Sequence, residues 1–261
     1  PRLIRGEKMK FNVEREVNGV IQFIRDYYKE NHLKGAILGI SGGKDSGVVA
    51  GLMVKALGPE NVIGVTLPCH SKEEDKQDAI LVSETYGFPL INLDITPAYE
   101  AFQREVQKLG NFSEEEKENS DINLKPRLRM ASLYYLAALY SSLNGGPYLV
   151  IGTSNRCEIY VGYFTKGGDN VHDISPIADF TVDEVIQIGE YLNVPEKVLY
   201  KTPDDGLSGK SDEEKLGVTY REIAMYMEDP ETVSKSARNV IERHHRNNQH
   251  KFKVPTYRKD G

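Results

Sequence analysis

This sequence predicts an α/β fold, a doubly wound parallel sheet flanked by helices, and three observations lead there. Short apolar runs at 37–40, 62–67, 90–95 and 148–152 alternate with stretches of helical apolar spacing, as in a sheet covered on both faces. The first run breaks into Ser41-Gly42-Gly43-Lys44-Asp45-Ser46 and then into a helical pattern. Such a strand-to-helix glycine turn cradles anions, because glycine lets backbone N–H groups approach a ligand and the helix N-terminus favours negative charge. Finally, 261 residues suffice for one full core, read here as a single domain over 1–261.

Residues 1–10 are polar and carry no fold signal. A helix is expected over 13–28 from Val17, Val20, Ile21, Ile24 and Tyr27/Tyr28, closed by Asn31 and Gly35. After the glycine turn, Val48, Val49, Leu52, Met53 and Ala56 give a helix over 46–57, stopped at Gly58-Pro59. The turn is not a Walker A loop: Leu38 stands where the first glycine belongs, and Asp45 follows the lysine. Gly209-Lys210-Ser211 fails in the same way, with Asp204 at the glycine position. Residues 71–86 read as a charged amphipathic helix between the second and third runs. The acidic stretch 110–122 has no apolar periodicity and is expected to be a mobile loop. Residues 127–143 are apolar on most sides, which suits either a central core helix or one shared with a second subunit. Thr181 with Glu184 forms a capping-box pattern opening a helix to 192. The Asp/Gly/Ser-rich segment 201–217 reads as a lid loop or a surface connection. Two more helical patterns, 219–228 and 231–246, flank Asp229-Pro230.

A net charge of −6 argues against a general nucleic-acid surface, although 238–259 is locally basic. No run approaches the roughly 18 apolar residues of a membrane span, and no apolar signal core opens the chain, so a cytoplasmic protein without membrane partners is expected. Cys69 and Cys157 stand far apart and read as plain buried thiols rather than a disulfide or zinc site.

The string Ser-Gly-Gly-Lys-Asp-Ser after a buried strand resembles the pyrophosphate loop of the ATP pyrophosphatases (the PP-loop superfamily), which transfer AMP to a substrate oxygen. Three further strings narrow the resemblance: Asn123-Leu124-Lys125-Pro126-Arg127-Leu128-Arg129-Met130, Gly152-Thr153-Ser154-Asn155-Arg156-Cys157-Glu158 and Gly162-Tyr163-Phe164-Thr165-Lys166-Gly167-Gly168-Asp169. They follow in the order found in the ammonia-dependent NAD synthetase family. His250-Lys251 with Pro255 resembles that family's closing motif.

The resemblance implies a Rossmann-like fold of the adenine nucleotide alpha hydrolase type, and a ligase that amidates deamido-NAD to NAD through an acyl adenylate, with ATP as co-substrate, Mg²⁺ as cofactor and ammonia as donor. It implies that Ser41, Gly42, Gly43, Lys44, Asp45, Ser46, Thr153 and Lys251 bind ATP. Asp45 and Glu158 would hold the metal, with Asp204 a further candidate. Tyr27, Asn123, Arg127, Tyr163, Lys166, Asp169, His250 and Lys251 would bind deamido-NAD. Asp45, Lys166 and Asp169 would act in catalysis, Asp169 by orienting ammonium or accepting its proton. It also implies a homodimer, Tyr27 matching a position contributed by the partner chain.

Three departures stand out. Val182 replaces a lysine that many members direct at the ATP phosphates, leaving Lys44, Lys166 or Lys251 to compensate; Asp204 replaces Ser or Thr; and Thr66 stands where some members place arginine near the adenine. Free ammonia is expected because a glutamine-using member carries an additional amidase domain with a catalytic cysteine, which this chain does not match. The rival readings are another ATP pyrophosphatase, such as a GMP synthetase-like or tRNA-modifying enzyme, and a regulator that binds ATP without cleaving it.

Overall fold

The computed structural model describes residues 11–201 and 211–259. Helix α1 (Val13–Glu30) starts where the Asn12 side chain accepts the Arg15 N–H, and it buries Val17, Ile21, Ile24 and Tyr28 along one stripe. Strand β1 (Gly35–Gly39) leads to α2 (Lys44–Leu57), whose N-cap is Gly43. Lys44 and Asp45 therefore belong to the helix's first turn rather than to the loop before it. Next come β2 (Val62–Thr66), α3 (Glu73–Tyr86), β3 (Leu90–Asn92) and α4 (Thr96–Gln107). Tyr99, Phe102 and Val106 stand at helical spacing in α4, of which Tyr99 is the one buried residue.

Helix α5 (Glu114–Asn144) corrects two expectations. Most of the segment read as a mobile loop over 110–122 is helical: Ser113 and Glu116 close a capping box, and Lys117 Nζ pairs with Glu114 at 2.6 Å. Missing apolar periodicity marked solvent on all sides, not a lack of helix, since Glu and Lys are good helix formers. The helix also runs through Pro126, where a missing N–H would normally end it. Packing of Leu124, Leu128, Leu133 and Leu136 against the sheet spans that point. Further along, Tyr135, Leu139 and Leu143 are 72%, 43% and 69% exposed, so α5 is not a helix buried all round.

The chain continues through β4 (Tyr148–Ile151), α6 (Arg156–Val161), α7 (Val182–Leu192), α8 (Glu196–Leu199), α9 (Asp212–Leu216), α10 (Tyr220–Glu228) and α11 (Lys235–Asn247). Thr181 and Glu184 make the capping box that their spacing predicts. Part of 201–217 is helical too, since α9 is capped by Ser211 and Glu214.

The strands form a parallel sheet in the order β3-β2-β1-β4. Its central strand is buried on both faces, as its apolar run requires. Ala36, Leu38 and Ile40 pack with α1, α2, α7 and α8, while Ile37 packs with α4 and α5 on the opposite face. A satellite core joins α6, α9, α10 and α11 around Cys157, Val161, Tyr220, Ile223 and Ile241. The carboxyl ends of β1, β2 and β4 thus open between two helical layers, the usual place for a ligand in such sheets. Among the described residues no helix is long and apolar enough to cross a membrane.

Candidate active site

A cleft of about 940 Å³ runs across those strand ends, from the turn after β1 past residues 67–72 to the segment after β4, with α5 along one side and α9 and Lys251 along the other. The turn's shape depends on Gly42, whose φ is +80° and where a Cβ would stand 2.5 Å from the Asp75 carbonyl oxygen. Only glycine tolerates both constraints. Ser46 Oγ donates to the Gly43 carbonyl at 3.0 Å and lies 3.2 Å from Ser41 Oγ, so the hydroxyls fix the turn from within. The first N–H groups of α2 have no carbonyl partner in their own helix and face an incoming anion.

Behind the turn, Lys201 Nζ bridges Asp75 and Asp78 at 2.8 and 2.6 Å, and Lys197 Nζ reaches Asp78 at 2.7 Å. Asp78 is fully buried; desolvation raises its pKa, and the two ammonium groups outweigh that and hold it below the ordinary carboxylate value. This pairing pins the end of α8 to α3 beneath the turn.

At the end nearest β4, Asn155 organises two carboxylates. It is completely buried; its backbone N–H donates to Glu158 Oε2 at 3.0 Å, and its Nδ2 donates to Asp45 Oδ1 at 3.3 Å. Its own Oδ1 accepts the N–H groups of Cys157 and Glu158, capping α6. Glu158 is half-buried. Burial first, and the Asp45 charge second, push its pKa up to about 8. Lys44 Nζ lies 3.1 Å from Asp45 Oδ2. Burial lowers the Lys44 pKa, but Asp45 and Glu158 more than reverse that and leave it raised.

In the same cleft lining, Asp169 accepts the Thr165 N–H at 2.9 Å, while Thr165 Oγ1 donates to Asn123 Oδ1 at 2.8 Å. Asp169 reaches the cleft surface, but the protein around it desolvates its charge and raises its pKa, with the Thr165 N–H partly opposing the shift. Tyr163 donates its hydroxyl to Asp212 Oδ1 at 2.9 Å. Lys251 Nζ donates to the Gly162 and Phe164 carbonyls at 2.7 Å each, and burial lowers its pKa.

The residues singled out from sequence therefore divide. The turn 41–46 lines the cleft with Asn123, Thr153, Glu158, Tyr163, Asp169 and Lys251. Tyr27, Arg127, Lys166 and His250 lie outside that lining. Lys166 is exposed and donates to the His250 carbonyl at 2.9 Å, and Arg127 donates to the Lys166 carbonyl at 3.2 Å. Tyr27 is exposed on α1 beside Phe23. Asp204 lies outside the described residues. Val182 packs against the satellite core, and Thr66 Oγ1 donates to Asn92 Oδ1 at 2.9 Å. Sequence reasoning gave no role to Asn155 or Asp212. The four-residue span from Asn155 to Glu158 is a capping box, and that signal could have found Asn155; nothing local points to Asp212.

Among the described residues no group of three or more His, Cys, Asp or Glu converges on a metal position. Asp45 and Glu158 still fit Mg²⁺, which takes one or two carboxylates and completes its shell from water and phosphate oxygens. Two carboxylates held by one asparagine, one driven toward protonation by burial and by the other's charge, are the donor set that such a cation relieves.

A family model described as NAD synthase matches residues 16–255. The NH(3)-dependent NAD(+) synthetase of Carboxydothermus hydrogenoformans is 39% identical over 249 residues, covering 95% of this chain and 98% of that one. That of Alkaliphilus oremlandii is 40% identical over 258 residues, covering 97% and 100%. Among solved structures, NMN synthetase from Francisella tularensis superposes with a TM-score of 0.86 at 34% identity, covering 96% of this chain and all of that one. NH3-dependent NAD synthetase from Campylobacter jejuni, in complex with nitrate, superposes with a TM-score of 0.76 at 26% identity, covering 95% and 100%.

Proposed function

The chain belongs to the NAD synthase family, and from that premise we propose how its cleft works. It is a ligase that uses ATP and takes ammonia as the nitrogen donor in making NAD. We propose deamido-NAD as the acceptor. A carboxylate does not expel oxide when an amine attacks, so its oxygen first attacks the α-phosphorus of ATP and pyrophosphate departs. Ammonia then adds to the acyl carbon, the C–O bond to the phosphate breaks, AMP leaves with the electron pair, and the newly bonded nitrogen loses a proton.

The observation that carries this reading is that one cleft gathers the glycine turn, the paired carboxylates Asp45 and Glu158, and Asp169. In the turn, Ser41, Gly42, Gly43, Lys44 and Ser46 hold the departing pyrophosphate through N–H groups and hydroxyls. Asp45 and Glu158, positioned by Asn155, would hold a Mg²⁺ ion, which when bound would neutralise phosphate charge and draw density from the phosphorus. Asp169, its pKa raised by its surroundings, orients ammonium and takes the proton released on amide formation. Thr153 and Lys251 border the nucleotide, and Asn123 and Tyr163 the acceptor. Tyr163 is steadied for stacking by its bond to Asp212. Arg127, Lys166 and His250, linked in that order through backbone carbonyls, bind the outlying half of the dinucleotide.

We further propose a homodimer, joined through the exposed stripe Tyr135, Leu139 and Leu143 of α5, that brings Tyr27 to the partner's acceptor site. We also propose a cytoplasmic location, where ATP is at hand. A second acceptor, the nicotinate mononucleotide, is favoured by the superposition on an NMN synthetase at 34% identity. Incubation with ATP, Mg²⁺ and ammonia, plus either the dinucleotide or the mononucleotide acid, is expected to yield NAD from the former with stoichiometric AMP and pyrophosphate. NMN formed faster than NAD would reassign the acceptor, and no amide from either would refute the reading.

A further inference from the structure

Lys125 and Arg129 sit one helical turn apart on α5, share a face, and both line the cleft. Lys125 is only 7% exposed, lies 5.2 Å over the Tyr99 ring centroid, and makes no ion pair among the described residues. Arg129 Nε donates to the Leu67 carbonyl at 3.1 Å, which fixes the guanidinium at the end of β2. Among the described residues no hydrogen bond engages its two terminal nitrogens. The residue itself borders the cleft. A cation held out of water without an ion-pair partner costs free energy that an anionic ligand recovers.

We propose that Lys125 and Arg129 form a second phosphate site, distinct from the glycine turn, that grips the α-phosphate of the adenylate and then of departing AMP. The inference rests on the adenylating chemistry proposed above. Its location follows from the lining of the cleft, which Lys125 and Arg129 share with the glycine turn and with Asp169. The Leu67 carbonyl that holds Arg129 Nε directly follows β2, the strand beside β1 and its turn. The guanidinium therefore shares one cleft with the place where pyrophosphate departs and the place where nitrogen attacks, as a group that grips the α-phosphate must. Chemistry gives it a task there. The acyl phosphate carries one negative charge; when the C–O bond breaks, AMP leaves with a second, and two desolvated cations favour that gain. Lys166, exposed and bonded to a carbonyl at the rim, does not line this part of the cleft.

Calorimetric titration with AMP and, separately, with inorganic pyrophosphate and Mg²⁺ tests the assignment on wild type, Lys125→Gln, Arg129→Gln and Arg129→Lys. Each glutamine variant is expected to weaken AMP binding about tenfold or more, as loss of a charge-assisted bond does, and to leave pyrophosphate binding within twofold. Arg129→Lys is expected to fall between. Retained pyrophosphate binding also certifies that the variants are folded, and Lys125→Gln carries the test if Arg129→Gln does not fold. Unchanged AMP affinity overturns the proposal, as does an equal loss for AMP and pyrophosphate. So does a loss confined to the acceptor nucleotide, which would make the site the acceptor's phosphate pocket. A wild type that makes no amide product refutes the underlying reading instead, whatever its AMP affinity.

Discussion

Asn155 joins two roles in one buried side chain: its oxygen caps α6 and its nitrogen restrains Asp45. The roles separate on substitution. Asn155→Ser keeps a cap acceptor and loses the donor, so stability is expected within about 0.5 kcal/mol of wild type. Mn²⁺ affinity in the presence of pyrophosphate, read by electron paramagnetic resonance, should fall roughly 10-fold, the usual effect of losing a partner behind a metal ligand. Unchanged Mn²⁺ affinity would remove Asn155 from the site. Glu158 gives a pH signature in the metal-free protein. Its pKa is raised from 4.5 to about 8 by burial and by Asp45, so between these values the folded state binds more protons than the unfolded one. Stability contributed by the protonated carboxyl is complete below about 4.5 and is lost as pH climbs to about 8. Glu158→Gln should therefore outlast wild type in urea at pH 8, with the gap closing toward pH 5; a gap that widens on acidification would contradict the shift.

Among the elements, α5 decides most of what sequence left open. Its first turns are held by local chemistry, a capping box and an i,i+3 ion pair, with little core contact. Ser113→Ala removes the cap and should cost about 1 kcal/mol, seen as a lowered urea midpoint. Amide exchange should quicken over the first turns of α5 before it changes near Ala137, which packs in the core. Equal quickening along the whole helix would mean that α5 opens as one unit. The same helix shows how far periodicity can be read. Val17, Ile21 and Ile24 declare α1 because one face is buried and the other wet. Residues 114–118 of α5 are wet nearly all round, so a period had nothing to mark. The glycine turn was legible for the opposite reason: a left-handed φ and a close carbonyl admit one residue type, which the sequence shows directly.

For the whole molecule, the apolar stripe on α5 is a test of assembly. Leu139→Glu puts a charge where the proposed dimer buries a leucine and should weaken association by about 2 kcal/mol or more, giving monomers in sedimentation at low micromolar protein. An unchanged dimer would place the interface elsewhere. The sequence by itself determined the parallel sheet, the turn at its centre and the family strings, because apolar alternation, glycine stereochemistry and short contiguous motifs are local properties. Only the tertiary structure decided that Asp45 from the first strand's helix and Glu158 from the fourth strand's meet through Asn155. It alone put Lys125 and Arg129 inside the cleft while leaving Lys166 at the rim. The physical reason is that a charge's environment is set by residues a hundred positions away: burial and neighbouring charges, not the residue's own identity, fix whether a lysine is a solvated surface group or a cation waiting for phosphate.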